Sequence, residues 1–142
     1  MYCSLADLKT IEPEAQLVQL SNDTADATTV DQVNIGQAIV SGDGTIDSFL
    51  RGHVELPLAQ PYPAIIVDIS TELAVCNLYK RRFGSNMPES ITDREKAAEK
   101  KLLMIADGTL LLTDKEKDEK TAANIKVATN PKMFPKNILD KY

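Results

Sequence analysis

Beyond Gln32, apolar residues recur at three- and four-residue spacing, at Ile35, Ala38, Ile39, Gly42, Ile46, Phe49 and Leu50. That spacing places them in one stripe down one side of a helix. The tetrapeptide at residues 29–32, TVDQ, predicts its start as a capping box, with the Thr hydroxyl and the Gln side chain satisfying backbone donors. Gly42 lies inside the stripe, where a neighbouring helix can approach closely, and Gly42 and Gly44 each cost roughly 0.5–1 kcal/mol relative to Ala in a helix interior. The pair leaves room for a kink or break at residues 41–44. Gly52 and Pro57 end the helix, and residues 56–63, LPLAQPYP, hold too many prolines for helix or central strand, so they form a rigid connector.

From residue 62 to residue 83 the pattern changes to apolar nearly all round, with Ile65, Ile66, Ile69, Leu73, Ala74, Cys76 and Leu78 and one narrow polar edge of Asp68, Thr71 and Glu72. This predicts a central helix. Lys80, Arg81 and Arg82 follow at its C-terminal end, where positive charge favours the helix dipole, and GSNMP at residues 84–88 stops it. The next helix is predicted from Ser90 or Thr92, with TDRE as a second capping box. Its apolar stripe is Ile91, Ala98, Leu102 and Ile105 against a charged remainder, and Asp107-Gly108 closes it.

Upstream, Ser4 can cap a short helix over residues 5–9, and Pro13 can open a second that carries Leu17, Val18 and Leu20. Residues 21–28, SNDTADAT, are turn formers without periodicity and form a loop. At the other end, TLLL at residues 109–112 fits a short strand or an extended arm, and DKEKDEK at residues 114–120 is a solvated charge run. Residues 121–142 hold two prolines and little regularity, yet carry Val127, Met133, Phe134, Ile138, Leu139 and Tyr142. An arm of that kind gains by docking on a neighbouring molecule. The expected architecture is all-α: two short N-terminal helices and three longer ones in a small bundle over residues 1–112, then a charged linker and extended C-terminal arm over residues 113–142.

Composition narrows the function classes. Aromatics make up 5% of the 142 residues and Trp is missing, so Leu, Ile, Val and Ala must fill the core, which suits packed helices. A formal charge of −5 and a pI near 4.9 argue against a protein whose main task is neutralising phosphates. Cys3 and Cys76 lie far apart without a C-x-x-C or a companion His cluster, which indicates neither a zinc site nor a disulfide framework and fits a reducing cytoplasm. No basic region followed by an apolar run opens the chain, and the longest apolar stretches fall far below the ~20 residues that span a bilayer, so neither secretion nor membrane embedding is expected.

Candidate chemistry is sparse. His53 is the sole histidine, and a catalytic dyad would need it beside Ser48, Cys3 or Cys76; a structural or solvent-facing role is the favoured reading. Asp68 and Glu72 lie one turn apart, a spacing that could hold a cation or an acid–base pair, although two carboxylates make an incomplete metal site and a solvent edge or an intersubunit salt bridge explains them. Asn22, Asp23 and Asp26 lack the spacing, central Gly and terminal Glu of a calcium loop. Cys76 falls on the buried side of an apolar helix and is expected in the core. Lys80, Arg81 and Arg82, beside Tyr79 and Phe83, form the compact basic patch of the chain and a candidate interface. A helix-end dipole partner or a subunit salt bridge explains them better than DNA does. No Gly-rich phosphate loop, metal-ligand set or cofactor motif is present.

Three stretches considered together carry a family resemblance: IVSGDGTIDSFLRGHVELPL at residues 39–58, DISTELAVCNLYKRR at residues 68–82 and KLLMIADGTLLL at residues 101–112. The chain resembles Mu-like prophage proteins of unknown function that are related to phage head–tail connectors. Their pattern is a helix ending in I-D-x-[YF]-L, a turn ending in L-P-L, a helix with A-x-x-x-L-Y and a last helix closing on I-A-x-G. Here these elements stand in order at Ile46, Asp47, Phe49 and Leu50; at Leu56, Pro57 and Leu58; at Ala74, Leu78 and Tyr79; and at Ile105, Ala106 and Gly108. An opening MYCSLADL and a closing MFPKNILDKY are of the family's kind. Glycines at 42 and 44, where alanines are usual, and Gly52-His53, where an aromatic beside an Arg is usual, depart from it.

The resemblance implies a structural morphogenesis protein without enzymatic activity, a head-completion adaptor that docks to the portal ring. It would bind neighbouring copies of itself and a stopper or tail-completion protein, with packaged DNA as passing cargo. It would be found in the host cytoplasm during assembly and in the virion neck afterwards. The candidate contact residues are Lys80, Arg81, Arg82, Met133, Phe134, Leu139 and Tyr142. Two rivals come from other classes: a small prophage DNA-binding regulator using Lys80, Arg81 and Arg82, and an enzyme built on Asp68, Glu72 and His53.

Overall fold

Ser4 opens the first helix, α1 (Leu5–Ile11), through a capping box in which its side chain and that of Asp7 each satisfy the other's backbone N–H. Pro13 precedes α2 (Glu14–Ser21), and three longer helices follow: α3 (Gln32–Leu50), α4 (Ala64–Phe83) and α5 (Glu89–Ala106), with a 3-10 turn at Gly84–Asn86. The computed structural model describes residues 1–112, of which Met1–Leu110 form one compact unit. Among the described residues the fold is all-α, and no helix is long and apolar enough to cross a membrane. The charge run at residues 114–120 and the apolar arm at residues 121–142 lie outside the described residues.

The centre of the fold is α4, which packs against each of the other four helices. That position explains why its expected polar edge is only partly polar. Thr71 is buried and donates its hydroxyl to the Val67 carbonyl at 2.7 Å, and Ser70, fully buried, reaches Asp43 of α3. The stripe on α3 faces α4, with Ile35, Ala38, Ile39, Gly42, Ile46 and Leu50 buried and Phe49 half-buried. On α5, Ile91, Ala98, Leu102 and Ile105 are buried as their spacing predicts.

Both expected capping boxes on the longer helices are displaced. The cap of α3 is Asp31 rather than Thr29; its carboxylate accepts from the N–H groups of Val33 and Asn34 at 2.9 and 3.1 Å. Tertiary contacts choose between the two. The buried Ser21 hydroxyl accepts the Asp31 N–H at 3.0 Å and the Asn22 amide donates to the Thr29 carbonyl at 2.7 Å, so residues 29–31 are held outside the helix. Helix α5 begins at Glu89, before Ser90 and Thr92, because the Pro88 carbonyl already accepts from the Ile91 and Thr92 N–H groups at 3.0 and 3.2 Å. Residues 92–95 are therefore helix interior, and Arg94 and Glu95 are free to reach sideways. At the far end Gly108, with φ 83°, turns the chain back and Leu110 N–H donates to the Met104 carbonyl at 2.9 Å. No strand forms at residues 109–112, since no strand lies alongside to pair with them among the described residues.

The room that the glycines leave at residues 41–44 is not used for a break: α3 is helical throughout. A Cβ on Gly42 would lie 3.2 Å from Leu73 Cβ and 3.4 Å from the Ala74 backbone nitrogen, so this glycine serves close approach of two helices, and the contacts on either side hold α3 continuous. Gly44 points the other way, with nothing within 4 Å of a Cβ built on it. Gly44→Ala should therefore raise stability by about 0.5–1 kcal/mol, because only the helix-propensity cost of glycine is removed. A urea titration checks this; no gain, or a loss, would show that the outer face of α3 is not open.

Candidate interaction surface

Lys80, Arg81 and Arg82 stand on consecutive positions of an α-helix, which point about 100° apart, and the structure separates them accordingly. Lys80 pairs with Glu95 of α5. Arg81 pairs with Asp23 of the α2–α3 loop at 2.7 Å and approaches the Leu20 carbonyl at 3.4 Å. Arg82 is exposed and has no carboxylate partner among the described residues. The expected compact basic patch is thus two intrachain clamps on the last turn of α4 and one available cation. Next to it Phe83, 43% exposed, stacks on Tyr79 one turn earlier with ring centroids 5.9 Å apart. A cleft of about 270 Å³ opens there, lined by Val18, Leu20, Ala25, Ala27, Arg82 and Phe83 among others.

The carboxylates at 68 and 72 also diverge. Asp68 is exposed, whereas Glu72 accepts from Arg94 Nε at 2.8 Å, and Arg94 Nη1 donates to Glu12 at 2.8 Å. One guanidinium thereby ties the end of α1 to α4 and α5. Burial alone would lower the Arg94 pKa, but the two carboxylates outweigh it and raise it. The sequence offered no sign of this clamp, because Glu12 and Arg94 are 82 positions apart.

His53 is exposed in the turn after α3, where its backbone N–H donates to the Leu50 carbonyl at 2.9 Å. Cys3 and Cys76 are buried, and the Ser48 hydroxyl donates to the Thr45 carbonyl at 2.8 Å. Among the described residues no hydrogen bond joins the His53 side chain to Ser48, Cys3 or Cys76. Among the described residues no three His, Cys, Asp or Glu side chains group so as to hold a metal.

Cys76 sits in the core as its spacing predicts, and burial pushes its thiol up to about 11. Below pH 9 the thiol is neutral in both folded and unfolded chains. Between about 9 and about 11 only the unfolded chain ionises it, so stability should fall as pH rises through that window. Urea titrations on either side of pH 9 test this. The fall should be smaller in Cys76→Ala, and an equal fall in both proteins would place the alkaline sensitivity elsewhere.

A further cluster escaped sequence reasoning. Asp43 accepts the Tyr2 N–H at 3.0 Å and the Ser70 hydroxyl at 2.7 Å, with the Met1 ammonium 3.8 Å away, and the Tyr2 hydroxyl donates to Asp47. Burial, reinforced by the bond to Asp47, raises the Tyr2 phenol, and burial also raises the Cys3 thiol beside Ser70. Tyr2 meets Tyr62 edge-on with centroids 4.9 Å apart, so this cluster fastens both the N-terminal segment and the proline-rich connector to α3. Its signal was present: Asp43 and Asp47, one turn apart, are the only charged residues in α3.

Because both acids turn inward, the outer face of α3 carries no charge. Val33 and Val40 are 67% and 57% exposed, alongside Gln37, Gly44 and Ser48. The outer face of α5 is the opposite, exposing Asp93, Lys96, Lys100 and Lys101. Met133, Phe134, Leu139 and Tyr142, the remaining candidate contacts, lie outside the described residues.

The family model described as Bacteriophage Mu, Gp36 matches residues 2–129, a span that includes the five α-helices of the described residues. The chain belongs to this family. No curated protein matches it. Membership of the Gp36 family makes it a protein of a Mu-like phage or prophage. Of the motif residues that carried the resemblance, Ile46, Leu50, Ala74, Leu78 and Ile105 are buried and Asp47 holds Tyr2, while Phe49, Leu56, Leu58, Tyr79, Ala106 and Gly108 are half-buried and Pro57 is exposed. In this Gp36-family chain the buried five maintain the helix packing.

Proposed function

We propose that this Gp36-family protein is a head-completion adaptor, docking to the portal ring as one of several copies and giving the stopper or tail a platform. Family membership over residues 2–129 is the observation that carries the reading. Two features support it. Rings are closed by heterologous contacts between unlike surfaces of successive copies, and the uncharged face of α3 and the charged face of α5 are unlike surfaces on one body. A net charge of −5 also suits a protein around a DNA channel, since it repels phosphate and lets DNA pass.

The DNA-binding alternative loses support. Affinity for duplex scales with the number of phosphates neutralised, and with Lys80 and Arg81 held in ion pairs only Arg82 of the trio is available. Work of the adaptor kind is assembly without chemistry or cofactor.

Electron microscopy of particles from an induced lysogen lacking this gene, with a complemented control, tests the proposal. DNA-filled or leaking heads separated from finished tails are expected. Normal infectious virions would overturn it.

A further inference from the structure

The charge of the chain is unevenly divided. Residues 1–112 carry nine Lys and Arg against sixteen Asp and Glu, whereas residues 121–142 carry four Lys and one Asp. The arm is therefore basic as well as apolar, and Met133 and Phe134 stand between Lys132 and Lys136 in KMFPK at residues 132–136.

A cleft of about 450 Å³ beside the proline-rich connector holds the cation Arg51 and an Asp47 already bonded to Tyr2, so it would not draw lysines; charge likewise decides between the two remaining clefts on the helical body. The cleft beside Phe83 holds the available cation Arg82 and would repel lysines. The other, about 220 Å³, runs between α1, α4 and α5, with Ile11 and Val67 as its apolar part and Asp7, Asp68 and Glu72 on its rim. Glu72 is neutralised by Arg94 and Lys101 also lines the cleft, but Asp68 is exposed without an ion-pair partner among the described residues. Ile11, 37% exposed, is a large aliphatic side chain left open at the end of α1.

We propose that this cleft receives residues 132–136 of a second copy, with Phe134 covering Ile11 and Val67 and the flanking lysines meeting Asp68 and Asp7. A segment of this kind gains affinity from one aromatic anchor and specificity from the charges beside it. From Leu112 to Phe134 an extended chain spans up to about 70 Å, enough to cross to a neighbour. The choice of a second copy over the chain's own cleft rests on the adaptor reading, because arm-into-cleft contacts are heterologous and repeat around a ring.

Mixing two variants of the full chain tests this. Asp68→Lys spoils the cleft and keeps the arm; Phe134→Ser spoils the arm and keeps the cleft. Sedimentation of each alone should show self-association weakened at least about tenfold relative to wild type, with unchanged helical circular dichroism. An equimolar mixture should recover part of the association, since the intact arm of one variant meets the intact cleft of the other. Lys101→Glu should instead tighten association, and rising salt should weaken it in the wild type. A wild-type chain that stays monomeric at all accessible concentrations overturns the proposal, as does a mixture no better than either variant, which is also what docking within one chain would give. Normal virions from the gene deletion would sink the adaptor reading while leaving this solution result standing, so the two fail separately.

Discussion

Gly42→Leu should be the most damaging single substitution in α3, destabilising the protein by roughly 3 kcal/mol or preventing folding. The Cβ alone would lie 3.2 Å from Leu73 Cβ, 3.4 Å from the Ala74 nitrogen and 3.5 Å from the Ser70 carbonyl oxygen. Two of those neighbours are backbone of the central helix, which cannot step aside as a flexible side chain can. The rest of an isobutyl group has no space unless α3 and α4 separate, and that would also loosen Ile39 and Ile46 on either side, both at most 2% exposed. Thermal and urea unfolding measure the loss. Gly44→Leu is the control, identical in chemistry but pointing outward; if both variants lost the same stability, helix propensity rather than close packing would be the cause.

Arg94→Ala should cost about 2–4 kcal/mol, the range for breaking a partly buried ion pair reduced for residual solvent. Arg94 is 28% exposed in its side chain, and its partners Glu12 and Glu72 are 11% and 30% exposed. Removing the guanidinium leaves two carboxylates facing one another in a confined place without their donors. Most of the loss should therefore come from the stranded acids. The triple change Arg94→Met, Glu12→Gln and Glu72→Gln should recover much of it, because no charge is left uncompensated. Equal stability of the single and triple variants would show that the stranded acids are not the source of the loss.

The helices themselves were legible because amphipathic burial is a one-dimensional signal. The stripes of α3 and α5 could be listed from spacing alone, as could the buried position of Cys76. Boundaries were less so, since several residues could serve as caps. Thr29 and Asp31 are both acceptable N-caps, and the choice fell to Ser21, ten residues away, whose hydroxyl holds the Asp31 N–H. Thr71 was placed on a polar edge by composition and proved buried, because a helix packed on four others has little outer edge to give. The basic trio shows the same limit on the surface side. Adjacent in sequence, Lys80, Arg81 and Arg82 diverge on a helix, and their partners Glu95 and Asp23 belong to other elements.

By itself the sequence determined the all-α class, the order and buried faces of the long helices, and the family, because each of these rests on local propensity, periodicity and ordered motifs. Tertiary structure decided which charges are spent and which remain. The pairings of Arg94 with Glu12 and Glu72 and of Asp43 with Tyr2 and Ser70 join residues distant in the chain, and such energies depend on distance and burial, which a linear pattern does not contain. Those pairings leave α3 with an uncharged outer face and leave Asp68 open on the rim of its cleft.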